Sequence, residues 1–283
     1  MRRVCFYHAG CPDGFGAAWA VWRAWGESAS YLPRGHDDDL RAEEYAGDRV
    51  AFVDIAPPNG VLRELGAVAA QVVVLDHHVS SKQRFESDAE LVNALPSLGH
   101  RVDFDLSHSG AVLAWRHFHP GAETPELLRY VEDQDLWSWK LARSEEVNAT
   151  IGSHPHSFAA WSALAATPVD ELAREGVPIL RAQQREVETA LRFAHSARVG
   201  ELRVEAVNAL HRRSLIGHEL AKRASFGSPC GLVYRVTGQR VDVSLYSIGP
   251  FDVSRLAVDF GGGGHRNAAG FHVSLRQWLE RFL

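Results

Sequence analysis

The sequence predicts an α/β protein with an N-terminal domain built on a parallel sheet, a helical connector, and a smaller C-terminal α/β domain with a mixed sheet. In the first half, short β-branched segments alternate with helix-like segments, a pattern typical of βαβ units. Beyond about residue 198, strand-like segments follow one another more closely, which indicates paired strands. We therefore expect the first domain over residues 1–180, the connector over 181–198 and the second domain over 199–283.

The alternation in the first half rests on three strands, at 3–7, 50–53 and 72–75. The last of them, Val72-Val73-Val74-Leu75, has no polar break, as expected of a strand that is buried on both faces of a parallel sheet. Asn59 and Thr124 precede two helix-like segments and are expected to cap them. The predicted helices span 14–25, 60–69, 109–118 and 125–132, and a further short strand is expected at 90–93.

Between residues 145 and 197 the pattern is helical. The segment 181–193 is charged and free of glycine and proline, so we expect it to form the connector between the domains. In the C-terminal part, the segments 231–236 and 241–247 are expected to pair as neighbouring strands. Further strands are predicted at 201–208 and 271–274, and helices at 214–224, at 253–260 and at the end of the chain.

Composition argues against several classes of protein. The formal charge of −5 over 283 residues argues against a large basic surface for nucleic acid. The three cysteines form no Cys-x-x-Cys pair and are odd in number, which favours a reducing cytoplasm over a disulfide framework. The chain opens without a signal-peptide pattern, and no apolar run approaches the roughly 20 residues of a membrane span. We therefore expect a cytoplasmic protein that does not enter the membrane.

Carboxylate and histidine side chains follow the predicted strands at the points where they end. The carboxyl ends of parallel strands meet at one edge of a sheet, where α/β folds bind their ligands. Each group alone has an ordinary explanation, such as a helix cap for Asp13, a turn residue for Asp54 and a solvated loop for the acids near residue 133. Oxygen ligands mixed with a few imidazoles suit Mn²⁺ or Mg²⁺ better than the thiolate-rich sites of structural zinc. The residues at the strand ends are His8, Asp13, Asp54, Asp76, His77 and His78, and Asp133 and Asp135 join them from the end of the predicted helix 125–132.

A glycine-rich segment near the C-terminus, GGGGHRNAAGF at 261–271, is the second strong feature. Consecutive glycines let a backbone wrap an anion with its N–H groups. His265 and Arg266 follow the glycines directly and can add charged donors to a phosphate. The alternative is a flexible loop between a helix and a strand, which the ordered residues after the glycines disfavour.

Together, Asp76-His77-His78 and GGGGHRNAAGF resemble the DHH phosphoesterase superfamily, in the branch that carries the DHH-associated C-terminal domain of the first type. The resemblance extends over nearly the whole chain. The opening motif His-x-x-Cys-Pro-Asp-Gly-Phe, residues 8–15, is similar to the subgroup of oligoribonucleases and nanoRNases. Other relatives are pAp phosphatases and cyclic-dinucleotide phosphodiesterases. The resemblance implies a centre of two Mn²⁺ ions between the two domains, with Mg²⁺ as the alternative metal.

The resemblance also implies roles for individual residues. Asp54 would bridge the two ions, and Asp133 is the alternative to Asp135 as the last ligand. Asp76 would orient a neighbouring histidine, His77 first of all, and His78 would contact the scissile phosphate or protonate the leaving group. The metal ligands implied are His8, Asp13, Asp54, His77 and Asp135, and the substrate-binding residues are Gly262, Gly263, Gly264, His265, Arg266 and Tyr246.

Two positions depart from the family pattern. Cys11 stands where many members have the first carboxylate of an Asp-x-Asp pair, so either one ion binds more weakly or the thiol replaces the carboxylate. The ordinary interpretation of Cys11 is a small core residue. Tyr246 stands where relatives have an arginine that meets the substrate phosphate. A tyrosine can stack on a base or donate through its hydroxyl but brings no charge, which Arg235 or Arg266 would have to supply.

The resemblance implies a manganese-dependent, exonuclease-type hydrolase that cleaves phosphodiester bonds of short oligonucleotides or related nucleotides with water activated by two metal ions. A short substrate needs no extended basic surface, which agrees with the formal charge of −5. The alternatives are a pAp phosphatase, a cyclic-dinucleotide phosphodiesterase, and a nucleotide sensor without catalytic activity. The missing carboxylate at Cys11 would support the sensor. The expected partner is the nucleotide substrate, and a homodimer is left open.

Overall fold

The computed structural model describes residues 1–35 and 38–283. The described chain divides into two compact units, residues 1–180 and 181–283. Each unit contains one β-sheet and several helices, which confirms the predicted α/β class. Within the described residues, no helix combines the length and the apolar composition that crossing a membrane requires.

The first unit is built on five parallel strands. Strands β1 to β5 span Arg3–His8, Ser30–Arg34, Arg49–Val53, Gln71–Asp76 and Arg101–Phe104. Their order in the sheet is β2-β1-β3-β4-β5, so β1, β3 and β4 are direct neighbours at its centre. Helices α1 to α8 span Pro12–Trp25, Asn59–Val68, Val79–Glu86, Ala89–Ser97, Gly110–Phe118, Glu126–Asp135, Ser144–Ile151 and Phe158–Ala166, and α9, Val169–Leu191, runs on into the second unit.

Both faces of this sheet are covered, as its apolar strands require. On one face, Cys5 and Val53 pack with α1, α5 and α6 around the buried ring of Trp19. On the other face, Phe6 and Phe52 pack with α2 and α4. Because successive side chains of a strand point to opposite faces, β1, β3 and β4 contribute to both clusters. The strand ends are thereby held in fixed positions relative to one another.

The structure confirms the predicted strands β1, β3 and β4 and the helices between them, and it differs in detail elsewhere. The strand expected at 90–93 is wrong, because these residues lie inside α4, whose N-cap Asp88 accepts a hydrogen bond from the Leu91 N–H at 3.1 Å. The helices expected to be capped by Asn59 and Thr124 begin instead after Pro58 and Pro125. The sequence also gives no signal for β2 and β5, the two short edge strands.

The second unit is built on a mixed sheet of six strands. Strands β6 to β11 span His195–Val199, Leu202–Asn208, Cys230–Thr237, Arg240–Ser247, Gly263–His265 and Ala268–Ser274, and helices α10 to α12 span Arg213–Arg223, Val253–Val258 and Leu275–Arg281. The sheet order is β10-β11-β9-β8-β7-β6. The predicted pairing of β8 with β9 is confirmed and is antiparallel. The helix expected over the connector ends at Leu191, and β6 begins at His195.

Two apolar clusters hold the second unit together. Trp278 and Phe282 pack against one face of the sheet. On the other face, Ile216 and Leu220 of α10 pack against Val233. Helix α10 is therefore fixed on the strands β8 and β9, which positions the first residue of the helix above the sheet.

Candidate metal centre

The carboxyl ends of β1, β3 and β4 bring the predicted metal-binding side chains together in the first unit. His8 is the last residue of β1, Asp54 follows β3, and His77 follows β4. Asp54 has a φ of 58°, which aspartate tolerates better than most residues, and its N–H donates to the Leu75 carbonyl at 2.9 Å. This bond joins the end of β3 to the neighbouring strand and fixes the backbone from which the Asp54 side chain extends.

Three carboxylates converge on one ring nitrogen of His77. Its Nε2 atom lies 3.0 Å from Asp54 Oδ1, 3.4 Å from Asp13 Oδ2 and 3.5 Å from Asp135 Oδ2. An imidazole N–H donates one hydrogen bond and therefore satisfies one of these oxygens. Asp135 Oδ2 is buried without a hydrogen-bond partner. Several carboxylate oxygens and an imidazole nitrogen gathered in this way form a donor set for a divalent cation.

A second group of donors lies next to the first. One ligand atom each of His8, Asp54 and His78 lies within 4.8 Å of the others, as is also true of Asp13, His77 and Asp135. His8 Nδ1 is 3.4 Å from Asp54 Oδ2, whereas Asp54 Oδ1 faces His77. The two oxygens of Asp54 thus belong to different groups, which is the arrangement that a carboxylate bridging two ions requires.

The N-terminus of α5 holds Asp13 in the centre. The backbone N–H groups of Gly110 and Ala111 donate to the two carboxylate oxygens of Asp13 at 2.7 and 3.0 Å. Ser109 caps the helix through its side-chain oxygen. A Cβ on Gly110 would lie 2.4 Å from the Cβ of Asp54, so only glycine allows α5 to approach β3 this closely.

Burial and neighbouring charges shift the pKa values of the three carboxylates in different directions. Burial and the charges of Asp54 and Asp135 raise the pKa of Asp13 well above its usual value. Burial also raises the pKa of Asp135. Burial disfavours ionisation of Asp54, but His77 and His8 outweigh this effect and lower the pKa of Asp54 well below its usual value. A divalent cation would take the place of the protons that the cluster otherwise retains.

Asp76 acts on a different histidine from the one expected. Its Oδ1 atom accepts hydrogen bonds from the backbone N–H of His77 at 2.7 Å and from Nδ1 of His78 at 2.7 Å. Asp76 is fully buried. The carboxylate therefore orients the ring of His78 rather than the ring of His77, in the manner in which carboxylates orient histidines beside metal sites.

The structure brings Asp135, and not Asp133, to the cluster. Asp133 accepts hydrogen bonds from the backbone N–H groups of Lys140 and Leu141 at 2.9 and 3.2 Å. Both oxygens of its carboxylate are thereby engaged in closing the turn after α6. Asp135, the last residue of α6, has the buried oxygen that faces His77.

The glycine-rich segment lies in the second unit and forms an edge strand, β10, rather than a free loop. A Cβ on Gly262 would lie 2.0 Å from the Gly270 carbonyl oxygen, and a Cβ on Gly264 would lie 2.6 Å from the Ala268 carbonyl oxygen. Packing against β11 thus requires glycine at both positions, which gives a structural reason for glycines in the segment 261–264. The side chain of Arg266 is exposed and that of His265 is half-buried. Binding of phosphate by Gly262, Gly263, Gly264, His265 and Arg266 remains a prediction.

Tyr246 and an arginine that the sequence did not single out lie side by side. Tyr246 is 9% exposed and its ring packs against Gly217 and His218, so little of the ring is accessible to a nucleotide base. Arg213, the first residue of α10, donates to Ser244 Oγ, and its Nε is buried without a hydrogen-bond partner. Arg235 instead pairs with Asp242. Arg213 is therefore a cation whose charge acts on Tyr246, and tertiary packing brings it to this position.

No protein-family model matches this chain. The chain is 26% identical over 292 residues to Uncharacterized protein R106 of Acanthamoeba polyphaga mimivirus, a similarity that covers 96% of this chain and 67% of that protein. Among solved structures it is similar to the pGpG-specific phosphodiesterase PggH from Vibrio cholerae, with a TM-score of 0.45, 14% identity and coverage of 99% and 96% of the two chains. An exopolyphosphatase-related protein from Bacteroides fragilis gives a TM-score of 0.45, 13% identity and coverage of 99% and 89%.

Proposed function

We propose that the protein is a metal-dependent phosphoesterase that hydrolyses phosphodiester bonds of short oligonucleotides or related nucleotides. The observation that carries the proposal is the convergence of Asp13, Asp54 and Asp135 on Nε2 of His77, at 3.0 to 3.5 Å. The resemblance of Asp76-His77-His78 and GGGGHRNAAGF to the DHH phosphoesterase superfamily supports the same activity.

The residues fit a pair of Mn²⁺ or Mg²⁺ ions. Asp13, His77 and Asp135 would hold one ion and His8 the other, with Asp54 reaching both. The buried oxygen of Asp135 that has no hydrogen-bond partner supports this fit, since a cation would satisfy it. A pair of divalent ions lowers the pKa of a bound water and neutralises charge on the phosphoryl group.

The remaining residues orient the reactive groups. Asp76 holds the His78 imidazole through a 2.7 Å hydrogen bond to Nδ1, which fixes the ring, and His78 would contact the scissile phosphate or donate a proton to the leaving oxygen. The N-terminus of α5 holds the Asp13 carboxylate by two backbone N–H groups, so this side chain keeps one orientation. Both sets of hydrogen bonds restrict the motion of groups that must be in place before the reaction begins.

Substrate binding is assigned to the second unit. Arg213 would supply the charge that Tyr246 lacks and would bind a substrate phosphate together with Ser244. The buried Nε of Arg213, which has no hydrogen-bond partner, supports this assignment because a phosphate oxygen would satisfy it. His265 and Arg266 remain the proposed donors from the glycine-rich segment.

Hydrolysis of a substrate panel tests the proposal. The Mn²⁺-loaded protein would be incubated with 5′-phosphorylated dinucleotides to decanucleotides, cyclic dinucleotides and pAp, with Asp54→Asn as the blank. Asparagine tolerates the positive φ at this position, so the variant should fold normally. We expect mononucleotide release from the short oligonucleotides and a loss of at least about 10²-fold in the variant. Turnover of pAp alone would indicate a phosphatase, and tight binding without turnover of any substrate would indicate a sensor.

A further inference from the structure

We propose that Cys11 is a ligand of the metal centre, so that one ion is held by a thiolate together with His8 and Asp54. The proposal rests on the proposed metal-dependent function and assigns the position at which the sequence departs from the Asp-x-Asp pattern. It concerns one of the two ions and predicts that the ligand atoms of this ion are softer than those of the other ion.

The donor atoms already have the spacing of a metal-bound set. Cys11 Sγ lies 3.4 Å from His8 Nδ1 and 3.5 Å from Asp54 Oδ2, and the latter two atoms are 3.4 Å apart. With bonds of about 2.0 Å to nitrogen and oxygen and about 2.3 Å to sulfur, the ligands of a tetrahedral ion lie about 3.3–3.5 Å from one another. An ion would therefore fit between the three atoms without a large rearrangement of their side chains.

The backbone fixes the thiol in this place. Cys11 is the N-cap of α1, with φ −124° and ψ 154°, and its Sγ accepts a hydrogen bond from the Gly14 N–H at 3.3 Å. The turn is tight, because a Cβ on Gly14 would lie 2.1 Å from the carbonyl oxygen of His8. The direction of the thiol therefore follows from the turn between β1 and α1 and not from a free rotation of the side chain.

Capping alone does not explain a cysteine at this position. Helices prefer serine, threonine, aspartate or asparagine as the N-cap, because their oxygens accept hydrogen bonds well, whereas a thiol is a weak acceptor. Core packing does not explain it either, since Cys11 is partly exposed whereas Cys5 and Cys230 are buried. What distinguishes the Cys11 side chain is its contact with His8 and Asp54.

A thiolate ligand has a consequence for metal preference. Soft sulfur ligands favour Zn²⁺ and Co²⁺ over the hard ions Mg²⁺ and Mn²⁺. The position of His8, Cys11 and Asp54 should therefore bind Zn²⁺ or Co²⁺ more tightly than the position of Asp13, His77 and Asp135. Replacement of Cys11 by serine should reduce this difference in affinity between the two positions. It should preserve the helix cap, because a serine hydroxyl also accepts a hydrogen bond from the Gly14 N–H.

Co²⁺ binding provides the test, read by absorption spectroscopy on the full chain. Coordination of Co²⁺ by a thiolate produces a sulfur-to-metal charge-transfer band in the near ultraviolet. We expect this band in the wild type and in Cys230→Ala, a control that removes a buried thiol of the second unit. In Cys11→Ser the band should disappear, and the affinity for the first Co²⁺ should fall by at least roughly tenfold. Circular dichroism of each variant establishes that it is folded.

Protection of the thiol is a second, independent measurement. Without metal, burial and the charges of Asp54 and Asp13 raise the pKa of the Cys11 thiol well above its usual value, so Cys11 should react only slowly with Ellman's reagent. It should still react faster than Cys5 and Cys230, because it is partly exposed and they are buried. Saturating Zn²⁺ should suppress the reaction. Stoichiometric Co²⁺ binding without a charge-transfer band, or unchanged thiol reactivity with Zn²⁺ bound, would overturn the role of Cys11 and leave the metal centre intact. Absence of any Co²⁺, Mn²⁺ or Zn²⁺ binding would instead overturn the proposed function.

Discussion

Replacing Gly110 with alanine tests how closely the centre depends on the packing of α5 against β3. A Cβ at this position would lie 2.4 Å from the Cβ of Asp54 and 2.8 Å from its Cα. Carbon atoms in van der Waals contact are about 3.5–4.0 Å apart, so the start of α5 has to move by about 1 Å. The N–H groups that donate to Asp13 at 2.7 and 3.0 Å would move with it.

The expected effect follows from these distances. Overpacking of this kind costs about 1–3 kcal/mol of the free energy of unfolding. Weakening the two hydrogen bonds to Asp13 adds to this cost, at about 1.5–3 kcal/mol for each bond that is lost completely. Alanine recovers about 0.5–1 kcal/mol because it favours the helix over the unfolded chain more than glycine does. We therefore expect a net destabilisation of about 2–4 kcal/mol and a fall in kcat/KM of about 10²-fold, as for a catalytic group displaced by 1 Å.

Urea unfolding followed by tryptophan fluorescence measures the stability. Of the eight tryptophans, only Trp278 lies outside residues 1–180, so the signal reports mainly on the first unit. The matched control is Gly60→Ala in α2, where a Cβ would meet no atom within 4 Å. This variant should gain about 0.5–1 kcal/mol and keep its activity. If Gly110→Ala were as stable and as active as Gly60→Ala, the close packing of α5 on Asp54 would not exist.

Three further predictions concern individual side chains. Asp135→Asn should weaken Mn²⁺ binding in calorimetry by at least about tenfold, whereas Asp133→Asn should lower only the thermal stability, because Asp133 closes a turn; equal losses of affinity would contradict the assignment. Burial lowers the pKa of His218 to about 4, against about 6.5 in the unfolded chain. The unfolded state therefore binds more protons between these values, and the wild type should lose on the order of 3 kcal/mol of stability as the pH falls through this window. His218→Gln should flatten that slope in urea unfolding, and an unchanged slope would refute the effect. Arg213→Gln should raise KM for a 5′-phosphorylated dinucleotide about tenfold or more, whereas its matched control, Arg235→Gln, should not; similar KM values in the two variants would remove Arg213 from the binding site.

The positions of the site residues could be predicted from the sequence because they depend on short-range patterns. The apolar runs of β3 and β4 mark buried parallel strands, and the polar residues that follow them must lie at one edge of the sheet. His8, Asp54 and His77 were found in this way, and the structure brings them within hydrogen-bond distance of one another or of a shared partner. The α/β class followed from the same alternation.

Features that depend on tertiary packing could not be predicted in this way. The choice between Asp133 and Asp135 depends on how α6 ends and on the turn that follows it. The contact of Asp76 with the ring of His78 depends on a side-chain direction that no spacing encodes. Arg213 contacts Ser244, 31 residues away in the sequence, because α10 packs on β9, and no local sequence pattern predicts this contact.

Binding of Mn²⁺ to the wild type and to Asp54→Asn tests the central claim most directly. One oxygen of Asp54 faces His77 and the other faces His8, so the loss of its charge should affect both positions. By titration calorimetry and electron paramagnetic resonance, we predict two Mn²⁺ ions per wild-type chain with the spin coupling of a close pair. In the variant we predict the loss of at least one ion and of the coupling. Two coupled ions bound with unchanged affinity by Asp54→Asn, or no Mn²⁺ bound by the wild type, would contradict the claim that these carboxylates form a bridged metal centre.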